Sequence, residues 1–119
     1  MLWDSNIIIY SAKPKYSFLL DLLENQDIKV SVISKIEVFG YGLLDVSDHE
    51  YFSLMFSQID VLSVSPAVVD LSIEVKKLKK ISLGDAIIAS NALDHGQTLV
   101  TRNTKDFEHI DGLSLLNPF

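Results

Sequence analysis

The sequence predicts an α/β protein built on a mostly parallel sheet. Short apolar stretches typical of buried strands alternate along the chain with segments whose apolar residues recur at helical spacing. The 5 glycines and 3 prolines are scattered, so no linker divides the 119 residues. We therefore predict a single domain over residues 1–119, with about four or five short strands between two layers of helices.

Each element has its own signal in the sequence. The predicted strands cover residues 1–4, 28–33, 61–64, 98–101 and 113–116, and each is a short run of apolar or β-branched residues. The predicted helices cover residues 7–12, 16–25, 34–43, 48–59, 66–80 and 82–94, where apolar residues return every three or four positions. Pro66 suits the first position of its helix, whereas Lys13-Pro14 and His95-Gly96 end the helices before them.

The composition is typical of a folded cytoplasmic protein. Hydrophobic residues make up 48% of the chain and the mean hydropathy is +0.26, which excludes a disordered chain. We expect neither a membrane span nor a signal peptide, because the apolar runs are short. Cysteine is absent, which excludes disulfides and thiolate metal sites. The apolar content is high for a monomer, so we expect a partner protein or a second copy to cover part of the surface.

The formal net charge of −6 argues against loose, phosphate-driven binding of nucleic acid. Acidic residues that hold divalent metal change this balance locally, since each bound ion adds two positive charges. An acidic chain can therefore still present a positive field at one site.

Three carboxylates interrupt apolar segments. Asp4 ends the first predicted strand, and Glu37 and Asp85 lie near the starts of helices. Because the carboxyl ends of parallel strands share one edge of the sheet, we expect these side chains to meet there. Unpaired carboxylates are costly to bury, and a divalent ion bound by carboxylates and water removes that cost. The trio therefore predicts a divalent-metal site, and residues 101–106 follow a strand at the same edge.

Helix capping is the competing explanation for each acid. Ser34-Lys35-Ile36-Glu37 matches a capping box, and Ser82-Leu83-Gly84-Asp85 matches its acidic variant. Asp4-Ser5 and the segment 101–103 also suit helix starts. Capping explains Asp4 least, because that residue ends a buried strand. Position alone does not separate the two interpretations, since helix starts and sites share the same sheet edge.

Two sets of basic residues are candidates for phosphate contacts. The first is a stripe of four lysines, Lys76, Lys77, Lys79 and Lys80. It is either a solvated helix face or a path for phosphate groups that leads to Asp85. The second set is Arg102 and Lys105, which stand nearer to the acidic residues in the predicted fold.

Four motifs, taken together, resemble those of the PIN domain. They are Asp-Ser-Asn at 4–6, S-x-x-E at 34–37, GDAIIASNAL at 84–93 and LVTRNTKDF at 99–107. In this order they extend over essentially the whole chain. The subgroup to which they are most similar is the VapC-like toxin ribonucleases of toxin–antitoxin pairs.

The resemblance implies a Mg²⁺- or Mn²⁺-dependent endoribonuclease that hydrolyses RNA phosphodiester bonds. It assigns Asp4, Glu37 and Asp85 to three acidic metal positions and Asn103 to a fourth, where the family carries Asp or Asn. Thr101 matches the hydroxyl residue just before that fourth position, and Asp106 lies near it as a supporting residue. Ser5 is a further candidate supporting residue, and Arg102 and Lys105 are kept as candidate phosphate contacts. A homodimer and an antitoxin partner are also implied. Because the fourth position is Asn, one bound ion and two both stay open.

Two other functions are compatible with parts of the sequence. One is a non-catalytic PIN-fold binding or interaction domain, which the acidic balance and the missing fourth acid favour. The other is a phospho-accepting receiver domain of similar length and sheet type. That class requires an acidic pair after the first strand, yet Asp4 is followed by Ser-Asn, and the segment 61–65 lacks the required Asp.

Overall fold

The protein, described over residues 1–119 by a computed structural model, is built around one five-stranded sheet. The strands are β1 (Leu2–Trp3), β2 (Lys29–Ser31), β3 (Asp60–Leu62), β4 (Leu99–Val100) and β5 (Leu115–Leu116). They lie in the order β3-β2-β1-β4-β5, and every neighbouring pair is parallel. β1 is therefore the central strand, and the residue that follows it lies in the middle of the carboxyl-end edge.

Six α-helices cover the sheet. They are α1 (Ser5–Ser11), α2 (Phe18–Asn25), α3 (Val32–Phe39), α4 (Val46–Gln58), α5 (Pro66–Leu78) and α6 (Leu83–Asp94). Two 3₁₀ turns cover Pro14–Tyr16 and Thr104–Asp106. The predicted α/β class and the parallel sheet are confirmed. None of the six helices has the length and hydropathy that crossing a membrane would require.

The two faces of the sheet carry separate apolar cores, because successive residues of a strand point to opposite sides. Trp3 and Val100 pack into a core with side chains from α1 to α4. Leu2 and Leu99 pack into a second core with side chains from α5 and α6. All four strand residues are fully buried. The neighbouring strands β1 and β4 therefore carry only apolar side chains, as expected where a parallel sheet is covered on both faces.

The structure corrects the predicted boundary between β2 and α3. The strand ends at Ser31 and the helix begins at Val32, not at Ser34. Ser31 caps the helix, because its hydroxyl accepts a hydrogen bond from the backbone N–H of Ile33 at 3.2 Å. The β-branched pair at 32–33 is typical of a strand, but the cap at the end of β2 starts the helix there. The earlier start moves Glu37 from the first turn of the helix to its second.

Candidate functional site

Asp4 occupies the middle of the carboxyl-end edge of the sheet. It directly follows β1, its backbone N–H donates to the carbonyl of Val100 at 3.1 Å, and it is only 6% exposed. Its side chain caps α1 by accepting a hydrogen bond from the N–H of Ile7 at 2.9 Å. The expectation that capping explains Asp4 least was therefore wrong. A carboxylate has about four lone-pair sites, so the cap leaves acceptor capacity for a ligand.

The charge of Asp4 lacks a basic partner. Burial raises the pKa of Asp4, and the nearby carboxylate of Asp85 raises it further. Hydrogen bonds from the hydroxyl of Thr101 and the N–H of Ile7 lower the pKa of Asp4, but by less than burial raises it. Neither acid forms an ion pair with Lys or Arg.

Asp85 approaches Asp4 from the first turn of α6, where it is partly buried. The N-cap of this helix is Ser82, whose hydroxyl accepts from the N–H of Asp85 at 3.1 Å. The predicted helix start is thus confirmed, and Ser82 supplies the cap while the carboxylate of Asp85 stays available. Burial raises the pKa of Asp85, and the charges of Glu37 and Asp106 add to this effect, whereas the hydroxyl of Ser82 lowers it.

Glu37 reaches the same place from the second turn of α3. Its Oε1 accepts a hydrogen bond from the hydroxyl of Ser5 at 2.8 Å, and that hydroxyl also lies 2.9 Å from the hydroxyl of Ser34. A Cβ on Gly84 would lie 3.5 and 3.6 Å from the two carboxylate oxygens of Glu37. The carboxylate therefore lies against the first turn of α6, next to Asp85. The capping-box explanation of Glu37 is wrong, because α3 begins before Ser34.

Thr101 and Asn103 follow β4 at the same sheet edge. Thr101 is fully buried, and its Oγ1 accepts from the backbone N–H of Asn103 at 3.0 Å. Asn103 is exposed and lines a small cavity of about 70 Å³ together with Asp4 and Arg102. The structure thus brings residues 101–103 beside Asp4.

A larger open cavity, of about 410 Å³, adjoins Asp85. Its lining also includes Asp106, Lys79 and Lys80, so acidic and basic side chains share this cavity. Lys105 is exposed and lines neither this cavity nor the small one.

The predicted lysine stripe is divided in the structure. Lys76 donates to the backbone carbonyl of Ile81 at 2.9 Å, and Lys77 lies 3.3 Å from Glu74. These contacts hold the first two lysines at α5. Lys79 and Lys80 lie beyond the end of the helix and line the larger cavity.

Three residues that contact the site were not predicted as site residues from the sequence. Ser34 was assigned to a cap, but it is buried and contacts Ser5. It stands three residues before Glu37, which places both on one face of α3. Asn6 and Tyr10 line the small cavity, and their i, i+4 spacing on α1 is the signal that predicts a shared face.

The donor set fits a hard divalent cation. No three His, Asp or Glu side chains are arranged so that they hold a metal ion together. Mg²⁺, however, is usually bound by one or two carboxylates with water at the other positions, and Asp4 and Asp85 supply such a pair. Burial, and after it the repulsion of nearby carboxylates, raises the pKa of both acids, and a bound cation would stabilise their charged forms.

The protein thus has an α/β fold with an acidic, oxygen-rich site at the carboxyl ends of its parallel strands. The chain belongs to the PIN domain family, whose model matches residues 1–113. This membership excludes the receiver-domain alternative. No curated protein sequence matches the chain.

Solved structures share this fold over nearly the full chain. A toxin–antitoxin complex from Klebsiella pneumoniae contains a chain that is 27% identical, with a TM-score of 0.81 and coverage of 99% of this chain and 97% of that one. VapBC2 from Rickettsia felis, bound to a DNA fragment from its promoter, matches at 26% identity and a TM-score of 0.79, covering 98% and 96%. DNA-bound VapBC from Salmonella typhimurium matches at 19% identity and a TM-score of 0.80, covering 97% and 95%, which shows the fold alone.

Proposed function

We propose that this chain is a Mg²⁺- or Mn²⁺-dependent endoribonuclease that hydrolyses RNA phosphodiester bonds. The observation that carries the proposal is the juxtaposition of Asp4 and Asp85, two acids with raised pKa values and no basic partner. Such a pair stabilises a fold poorly, but it suits a divalent cation. The PIN domain match and the toxin–antitoxin neighbours support the same assignment.

Each side chain of the site has a proposed role. Asp4 and Asp85 would hold the ion, with Asn103 completing the site through a water. When bound, a divalent ion neutralises the charge that develops on the phosphoryl group. Glu37 is exposed and is oriented by Ser5, so it is placed to orient the attacking water and accept its proton, or to bind a second ion.

The cations around the acids define a proposed path for the RNA. Arg102 lies beside the small cavity next to Asp4, and Lys79 and Lys80 line the larger cavity next to Asp85. RNA phosphates on the two sides of the scissile bond would contact these groups, which reconciles phosphate binding with the net charge of −6. Lys105 is assigned to a more distant phosphate, because it lies outside both cavities.

Cleavage of a structured RNA with Mn²⁺, with and without a chelator, tests this function. Asp85→Asn should abolish cleavage without unfolding the chain, because Ser82 supplies the cap of α6. Asp70→Asn, which neutralises an exposed acid on α5, is the charge-matched control and should retain activity. Cleavage that survives chelation, or that is undiminished in Asp85→Asn, would overturn the proposal.

A non-catalytic PIN-fold binding domain is the second candidate function. The net charge and the amide at Asn103, where a fourth acid would strengthen metal binding, favour it. Calorimetry separates the two, since a nuclease site must bind Mn²⁺. No heat of binding at millimolar Mn²⁺, together with no cleavage, would exclude the nuclease and leave the binding domain standing.

We further propose that the nuclease is the toxin of a toxin–antitoxin pair, as in the complexes to which its fold is similar. Regulated expression in a bacterial host should arrest growth, and Asp85→Asn should relieve the arrest. Growth unaffected by the wild-type chain while purified protein cleaves RNA would remove the toxin assignment and leave the nuclease.

The surface offers apolar area for an antitoxin and for a homodimer, which we propose as partners. A groove of about 300 Å³ between α1, α3 and α4 is lined largely by apolar side chains, including Leu43, which is 81% exposed. Val69, Ile73 and Leu83 line a second apolar groove between α5 and α6. Sedimentation equilibrium of the purified chain tests the homodimer, and a monomer at micromolar concentration would exclude it.

A further inference from the structure

Arg102 is held in an unusual way for a cation beside an acidic site. It lines the small cavity together with Asp4, yet it forms no ion pair with any carboxylate. A long flexible cation next to an unpaired carboxylate gains Coulomb energy by swinging onto it. Something must therefore keep the guanidinium away from Asp4.

Aromatic rings provide that restraint. The guanidinium carbon of Arg102 lies 4.4 Å from the ring centroid of Phe119 and 5.6 Å from that of Tyr10. The hydroxyl of Tyr16 lies beside the same guanidinium. Arginine stacks on aromatic faces because its cation is planar, delocalised and weakly hydrated.

The rings in turn support one another. Phe119 follows β5 and makes edge-to-face contacts with Tyr10, Tyr16 and Phe18, at centroid distances of 5.5, 5.1 and 5.4 Å. Phe119 is nevertheless 42% exposed, so burial of its own ring does not account fully for its position. We call Tyr10, Tyr16, Phe18 and Phe119 the aromatic cluster.

We propose that Phe119, within the aromatic cluster, is a positioning residue that holds Arg102 at the rim of the acidic site for a phosphate of the RNA backbone. A guanidinium stacked on a ring presents its N–H groups at the edge, and its five donors leave some that the tyrosine hydroxyls do not use for phosphate oxygens. It is also kept from neutralising Asp4, whose charge the ion requires. This inference rests on the proposed nuclease function.

RNA affinity in chelator tests the inference separately from cleavage. The probe is a fluorescently labelled single-stranded RNA, followed by anisotropy at several salt concentrations. Arg102→Met should weaken binding about tenfold and reduce the salt slope by about 0.7. Phe119→Ala should have a similar effect. Phe119→Leu should show the same defect, because leucine restores the bulk of the side chain but not the ring. Phe119→Trp keeps an aromatic ring and should bind RNA normally.

A double-mutant cycle decides whether Phe119 acts through Arg102. In the Arg102→Met background, Phe119→Ala should cause no further loss of affinity. An equal loss in both backgrounds would mean that Phe119 stacks on RNA bases directly or supports the fold, and would overturn the inference. Leu54→Ala is the control, because Leu54 is an exposed large apolar side chain on α4 outside the aromatic cluster, the acidic site and both apolar grooves, and it should change nothing.

Cleavage kinetics with Mn²⁺ give the second readout. Phe119→Ala should raise KM about tenfold with kcat little changed, because the phosphate contact exists in both the ground state and the transition state. A fall in kcat alone would contradict the proposal that Phe119 positions Arg102 for a phosphate. If the wild-type chain binds RNA with the predicted Phe119–Arg102 coupling but does not cleave it, the nuclease function fails and the positioning survives. If it cleaves RNA and neither variant changes KM or affinity, only the positioning fails.

Discussion

The hydroxyl of Ser5 lies 2.8 Å from Oε1 of Glu37, so the first residue of α1 fixes the carboxylate that α3 brings to the site. The same hydroxyl lies 2.9 Å from the hydroxyl of Ser34, which is fully buried. These contacts tie two helices together at the sheet edge. They also orient Glu37 toward Gly84 at the start of α6, where Asp85 follows.

Ser5→Ala should remove the hydroxyl contacts that join α1 to Ser34 and Glu37 of α3. The loss of a hydrogen bond to a carboxylate should lower the free energy of unfolding by about 1 kcal/mol. Because Glu37 would lose its orientation toward the attacking water, the cleavage rate should fall about tenfold, as when a residue that orients an active-site group is removed. Urea denaturation and cleavage assays with Mn²⁺ measure the two effects. Ser17→Ala is the control, because Ser17 makes no side-chain capping bond at the start of α2; equal effects of both variants would argue against a specific role for Ser5.

The buried acids should make the metal-free protein less stable as the pH rises. Burial raises the pKa of Asp4 above its ordinary value of 3.8, so the folded chain binds its proton more tightly than the unfolded chain does. The unfolding free energy must then decrease as the pH rises from the ordinary value through the raised one, and the loss is complete above the raised pKa. Asp85 contributes with the same sign, because its pKa is also raised.

Two substitutions at Asp4 separate its charge from its capping role. Asp4→Asn removes the charge but still caps α1, because Asn is as good an N-cap as Asp. The metal-free Asn variant should therefore be more stable than the wild type near neutral pH, and its stability should vary less with pH. Asp4→Ala should also lose about 1 kcal/mol from the missing cap. Urea denaturation in chelator measures both; an Asn variant less stable than the wild type at neutral pH would mean that the charge of Asp4 stabilises the fold.

Much of this architecture was accessible from the sequence, because the apolar strands and the helical spacing are strong local signals. Asp4, Glu37 and Asp85 were placed at one sheet edge by the parallel topology alone. Capping was predicted to explain Glu37 better than Asp4, however, and the structure shows the reverse. Capping of α3 depends on where β2 ends and the helix begins, and residue propensities do not fix that boundary. The hydroxyl of Ser31 caps α3, which begins two residues before the predicted start, so Glu37 is free of capping whereas Asp4 is the cap of α1.

The contacts of Arg102 show a different limit. Its neighbours Tyr10 and Phe119 lie at opposite ends of the chain, and no periodicity connects them. Only the pairing of β5 with β4 brings residue 119 toward α1. Similarly, the lysine stripe is one feature in the sequence but two in the structure, because α5 ends at Leu78.

Mn²⁺ should stabilise the wild-type chain and fail to stabilise Asp85→Asn. A ligand at ten times its dissociation constant adds about 1.4 kcal/mol to the unfolding free energy, which for a domain of this size raises Tm by about 5 °C. The asparagine variant lacks one of the two proposed carboxylate ligands, so its Tm should not change with Mn²⁺. Differential scanning fluorimetry measures this shift. Asp70→Asn should respond like the wild type, and an equal response of Asp85→Asn would place the ion elsewhere.

The divided lysine stripe gives a charge-matched test of the RNA path. Replacing both Lys79 and Lys80 by Gln should weaken binding of single-stranded RNA and reduce its salt slope by about 1.4, which is about 0.7 for each lost phosphate contact. These two lysines line the cavity beside Asp85, where the proposed path runs. Anisotropy in chelator over a range of salt concentrations measures affinity and slope together.

The matched variant replaces Lys76 and Lys77 by Gln and removes the same total charge. Lys76 donates to the carbonyl of Ile81 and Lys77 is paired with Glu74, and neither lysine lines the cavity. This second variant should therefore bind RNA almost as the wild type does, apart from a small long-range effect that salt screens. If both pairs weakened binding equally, net charge would account for the affinity, and the cavity beside Asp85 would not be the path of the RNA.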